Sequence, residues 1–68
     1  MAVAKVIEIL AESDESWEDA AQEALNEASK TVDNIKSVYI KEQQALVEGN
    51  RISRYRVNAK VTFIVEER

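Results

Sequence analysis

The sequence predicts an α+β fold, a β-α-β-β protomer whose three-stranded antiparallel sheet, in the order 1-3-2, wraps one amphipathic helix. Three observations predict it. Ser16 to Val32 is the only segment with sustained helical periodicity, an apolar stretch Ala2 to Leu10 precedes it, and two alternating stretches follow it, separated by Gly49-Asn50. A lone amphipathic helix buries its stripe against whatever else is apolar in the chain, and here that is strands.

Ala2 to Leu10 is rich in Val, Ile and Leu, carries only Lys5 and Glu8 as charges, and ends in the polar run Ala11 to Glu15. It reads as a strand in a mostly buried environment on both faces. In the helix, Trp17, Ala20, Ala21, Ala24, Leu25, Ala28 and Val32, continued by Ile35, recur every three or four residues, with polar residues on the other side. Ser16 followed by Asp19 marks the start as an N-cap hydroxyl with a first-turn carboxylate. The stripe is mostly alanine, so the covering sheet must approach closely. Ser37 to Glu48 and Arg51 to Glu66 are the second and third strands, and Gly-Asn between alternating stretches signals a hairpin with a type I′ or II′ turn.

A two-residue loop at Gly49-Asn50 places Val47 opposite Ile52, Gln44 opposite Tyr55, Glu42 opposite Val57, Ile40 opposite Ala59 and Val38 opposite Val61. One face then collects Val38, Ile40, Glu42, Gln44, Tyr55, Val57, Ala59 and Val61, with Phe63 and Val65 beyond the pairing, and covers the helix. The other collects Ser37, Tyr39, Lys41, Gln43 and Ala45 with Arg54, Arg56, Asn58, Lys60 and Thr62, and is polar and mixed in charge. Sixteen residues of last strand span roughly 50 Å, against ~26 Å for the helix, so the hairpin overhangs. Leu46, Val47, Ile52 and Tyr55 are then poorly covered in a single copy, which points to an interface.

The 68 residues form one domain, 1–68, and at this size burial alone leaves a fold marginal. There is no Cys and no His, which removes disulfides, thiolate metal sites and the commonest general base, so oligomerisation is the remaining source of extra stability. Nine basic against thirteen acidic residues give a net charge of −4, which argues against nucleic acid as a partner. No apolar run approaches the ~20 residues of a membrane span, so no membrane partner and a cytoplasmic location are expected. No triad, dyad or activated nucleophile can be assembled, and enzymatic activity is not expected. The cluster Glu12, Asp14, Glu15, Glu18 and Asp19 reads first as charge stabilising the helix N-terminus and second as oxygen ligands for calcium or magnesium. Arg54, Arg56 and Lys60 share a face as anion holders or, more simply, as ion-pair partners of acids on neighbouring copies. Trp17, at the head of the stripe, is expected in the core.

Several stretches together resemble the dodecin family: the opening KVIEI with its strand-ending Ser, the SWEDAAQEAL helix, its ASKTVDNI end, the following KEQ and the RYRVNAKVTF last strand. The likeness covers nearly the whole chain. It implies a homododecamer in the form of a hollow sphere, with a non-enzymatic role in binding and storing flavins (riboflavin or FMN) between two-fold-related subunits. In flavin-binding dodecins a Trp soon after the helix stacks on the flavin ring and a Gln of the last strand bonds its edge. The matching positions here are Ser37 and Arg56. The resemblance therefore implies a variant whose flavin stacking is weakened or lost, with Tyr39 as a substitute platform, Arg56 in cation–π contact, and Gln43 on the same predicted face. Some members lacking the Trp bind calcium or other small ligands, which makes a cation the other expected ligand. The alternatives are flavin storage as in typical dodecins and a ligand-free structural oligomer.

Overall fold

The computed structural model describes residues 2–66. The elements are β1 (Ala2–Ser13), α1 (Trp17–Ala28), β2 (Ile35–Glu48) and β3 (Arg51–Glu66), and the sheet order is β1-β3-β2 with both pairings antiparallel. This is the predicted architecture. The protomer is elongated, 54 × 19 × 13 Å with a radius of gyration of 14.0 Å, against ~11 Å for a compact chain of this length. The overhanging hairpin causes this.

Ser16 caps α1 from an extended backbone, its Oγ accepting the Asp19 N–H at 2.9 Å. The Asp19 carboxylate does not return to the Ser16 N–H as in a capping box. It accepts from Ser13 Oγ at 2.7 Å, while that Oγ itself accepts from the Glu15 and Ser16 N–H groups at 2.9 and 3.4 Å. Ser13 is thereby satisfied despite being only 8% exposed, and it ties the end of β1 to the start of α1.

The helix stops at Ala28, one turn short of the predicted Val32. Ser29 turns its hydroxyl onto the Asn26 carbonyl, Thr31 and Val32 are β-branched, and Asn34 adopts φ +61, the left-handed region that ends helical winding. Ala28 still accepts from the Thr31 and Val32 N–H groups at 3.1 Å, so the chain closes one irregular turn before β2.

The core is a narrow seam of small residues. Ala20, Ala24 and Ala28 on α1, spaced four apart, and Val57, Ala59 and Val61 on β3 are all at 2% exposure or less. With the alanines inward, α1 settles against β1 and β3 and touches β2 least. At the other end of the molecule Gly49 and Asn50 have φ +59 and +64, which makes the hairpin turn type I′.

Bulges correct the register of the hairpin. Val47 opposite Ile52, Ile40 opposite Ala59 and Val38 opposite Val61 are as predicted, but between them Gln44 faces Arg56 and Glu42 faces Asn58, not Tyr55 and Val57. Shifts at Leu46/Val47 and at Ile40/Glu42 move the intervening pairs by one residue, and a one-residue slip exchanges faces. Glu42 and Gln44 therefore lie on the face away from the helix, whereas Gln43 and Ala45, opposite Val57 and Tyr55, lie on the helix face. The polar residues predicted under the helix are not buried there.

Candidate functional site

The face of the sheet away from α1 carries, in register, Val6, Glu8, Leu10 and Glu12 of β1, Thr62, Lys60, Asn58 and Arg56 of β3, and Ser37, Tyr39, Glu42 and Gln44 of β2. Three large apolar side chains stand exposed on it: Val6 at 53%, Leu10 at 62% and Tyr39 at 62%. Within one copy β1 is thus half-buried at best on its helix side and exposed on the other, so the burial predicted on both of its faces is not met by the protomer alone.

Ser37 and Tyr39 sit near one end of this face, opposite Thr62 and Lys60. Arg56 shares the face but lies six residues further along β3 from Thr62, roughly 20 Å at strand rise. One copy therefore presents Ser37 and Tyr39 together and Arg56 apart from them. Gln43 is on the other side of the sheet, in a shallow cavity of about 180 Å³ lined with Trp17, Glu18, Ala21 and Ile40. The predicted shared face of Gln43 with Ser37, Tyr39 and Arg56 is corrected by the same bulge that moved Glu42.

Trp17 is half-buried, not deep in the core. Its ring meets Tyr55 edge-on, centroids 4.9 Å apart at 72°, and its Nε1–H donates to the Gln44 carbonyl at 3.2 Å. An indole needs a partner for its N–H, and the overhanging part of β2 supplies one.

The strongest polar feature is one that sequence reasoning placed elsewhere. Glu12, which belonged to the acidic cluster before the helix, stands directly opposite Arg56 in the β1–β3 register. Its Oε2 accepts from Arg56 Nε at 2.8 Å and Nη2 at 2.6 Å, and its Oε1 accepts from Arg54 Nη1 at 3.1 Å. The arginines expected to seek acids on neighbouring copies are paired within the chain. Glu8 and Lys41 form a looser pair on the same face at 3.8 Å.

Hydrogen bonds from Arg56 and then Arg54 hold the Glu12 carboxyl below its ordinary value of 4.5. A depressed carboxylate stabilises the fold fully above that ordinary value, and the contribution is lost as pH falls through the lowered one. The melting temperature is therefore expected to fall on acidification, and Glu12→Gln is expected to flatten that acid limb; thermal melts of both chains from neutral pH downward check it, and identical limbs would count against the assignment.

Glu12, Ser13, Asp14, Asp19 and Glu23 with Arg54 also line an open cavity of about 260 Å³ beside the helix start. As a calcium site within one copy this does not fit. Glu12 is engaged by two arginines, Asp19 by Ser13, and among the described residues no three acidic side chains converge as metal ligands. The Ser37 end does not fit a stacked flavin within one copy either, since Ser37 offers no ring and Arg56 is distant and already bonded. No helix among the described residues is long and apolar enough to cross a membrane.

Comparison with known proteins identifies the family and matches the fold. The dodecin family profile matches residues 3–66. The calcium dodecin of Mycobacterium tuberculosis is 40% identical over 63 residues, covering 93% of this chain and 89% of that protein. Among solved structures, a Thermus thermophilus protein superposes with a TM-score of 0.93 at 31% identity over the full length of both chains. The M. tuberculosis calcium dodecin, described as a calcium-chelating antigen with a novel calcium-binding site, superposes at 0.79 with 39% identity, covering 90% of this chain and 87% of its own.

Proposed function

The chain belongs to the dodecin family, and from that premise we propose that it is a non-enzymatic, cytoplasmic homo-oligomer, a hollow dodecamer, that binds or stores a small ligand at sites completed between copies, with flavin stacking weakened or lost. The observation that carries this is the outer face itself. Its Ser37 end has a hydroxymethyl group and the exposed Tyr39 for a ligand to lie on, and its Arg56 is spent on Glu12. Each aromatic partner missing from a flavin sandwich removes ~1 kcal/mol, so two symmetry-related copies account for a ~30-fold weaker Kd.

Titration of riboflavin and of FMN, followed by quenching of flavin fluorescence, tests the reading on the native chain and on Ser37→Trp. The native chain is expected to leave micromolar flavin unquenched and Ser37→Trp to quench it. Strong quenching by the native chain would instead make flavin storage through Tyr39 and Arg56 the function, and a silent Ser37→Trp would remove the pocket.

Cation binding is the more specific form of the reading. It is supported by the 40% identity to a protein named for calcium and by the acidic cavity at Glu12, Asp14, Asp19 and Glu23, whose ligand set a second copy would have to complete. A ligand that binds only the folded assembly raises its stability by mass action. Calcium is accordingly expected to raise the melting temperature relative to chelator, and a melt indifferent to both calcium and flavin would leave a ligand-free structural oligomer.

A further inference from the structure

We propose that Glu12 is a specificity-determining residue, an internal competitor that occupies the Arg54–Arg56 pair and keeps this part of the outer face closed to phosphate-bearing ligands. The inference deepens the reading above, in which Arg56 belongs to the ligand face.

The geometry carries it. Two arginines on alternate positions of β3 point to the same side of the sheet and would, left alone, form the planar donor array that recognises phosphate oxygens two at a time. Glu12 takes both. One carboxylate oxygen bonds the Nε and Nη2 of Arg56, the paired edge that a phosphate would use, and the other bonds Arg54 Nη1. Glu12 and Arg56 are 30% and 33% exposed, so water screens this contact less than an open surface pair. The competitor is also permanently present, because Glu12 is the cross-strand partner of Arg56 and an attached group acts at high effective concentration. Asp14, Asp19 and Glu23, which line the adjoining cavity with Glu12 and Arg54, add further negative charge next to the pair. The outer face then takes neutral or cationic ligands although it displays two arginines.

Calorimetric titration with inorganic pyrophosphate tests this independently of flavin. The native chain is expected to give no saturable heat at millimolar pyrophosphate. Glu12→Gln, folded by circular dichroism, is expected to bind at least tenfold more tightly, and Glu12→Gln/Arg54→Gln to lose that gain. Saturable binding by the native chain, or none by the folded Glu12→Gln variant, overturns the proposal. Should Glu12→Gln not fold, Ser37→Trp decides: equal Kd for riboflavin and FMN supports the proposal, and a tenfold preference for FMN overturns it. A Ser37→Trp chain that binds neither flavin sinks the flavin-site reading and leaves the native pyrophosphate result to judge Glu12.

Discussion

Ala24→Leu is expected to lower the melting temperature by about 10 °C or more. Ala24 is at 0% exposure in the middle of the Ala20–Ala24–Ala28 stripe, and the β3 residues in the same core, Val57, Ala59 and Val61, are also at 0%. The helix lies close to the sheet because both sides of the seam are small. Leucine adds three heavy atoms at a fully buried position, and overpacking a tight core costs ~1–3 kcal/mol or more. For a domain of this length each kilocalorie shifts the midpoint by about 4–8 °C. Ala21→Leu is the informative contrast. Ala21 is half-buried and lines the shallow cavity with Trp17, Ile40 and Gln43, so the added atoms have somewhere to go. Thermal melts of the two variants against the native chain check the difference, and equal losses would mean that helix propensity, not the seam, is being measured.

The same seam explains why the fold could be read from the sequence. The period of the alanines, the Ser16 cap and the lone Gly-Asn pair are local signals, each written within a few residues, and together they specify one helix, one hairpin and their order. The type I′ turn set the register at Val47–Ile52, and the buried valines and alanines restored it at Ile40–Ala59 and Val38–Val61.

What lay between was not legible. A bulge leaves no composition signature when the extra residue is as ordinary as Ser53 or Lys41, and one slip was enough to carry Gln43 to the helix face and Gln44 to the outer one. The Glu12 clasp was hidden for a different reason. No turn joins β1 to β3, because the helix intervenes, so their register depends on how the helix seats and cannot be counted from a loop. Glu12 therefore looked like one more acid before a helix, when its position opposite Arg56 makes it the centre of the polar face. For Ser37 and Tyr39 the chain order placed both on one face, but their separation from Arg56 follows from strand rise, so one copy does not bring all three together.

Leu10→Asp is expected to abolish the assembly. Leu10 is 62% exposed in the protomer, with Val6 at 53% two pleats away on the same face, although β1 has the composition of a strand covered on both sides. Monomers rarely leave such residues aligned on an open sheet, and burying a leucine contributes ~1.5–3 kcal/mol. Aspartate forfeits that contribution and adds a charge whose desolvation costs several kcal/mol unless a partner is found. In a closed symmetric oligomer the substitution enters every equivalent contact at once, so even a moderate local cost multiplies. Light scattering at micromolar concentration is expected to report a multi-chain particle for the native protein and a single chain for Leu10→Asp. The released protomer should also melt lower, because a domain of this size buries too little surface to be robust alone. Glu27→Gln, on the exposed side of the helix and paired with Lys30, should leave the mass unchanged. If the native chain scatters as a single copy, or if Leu10→Asp remains assembled, the outer face is not the interface, and a ligand site completed between copies across it would have no structural basis.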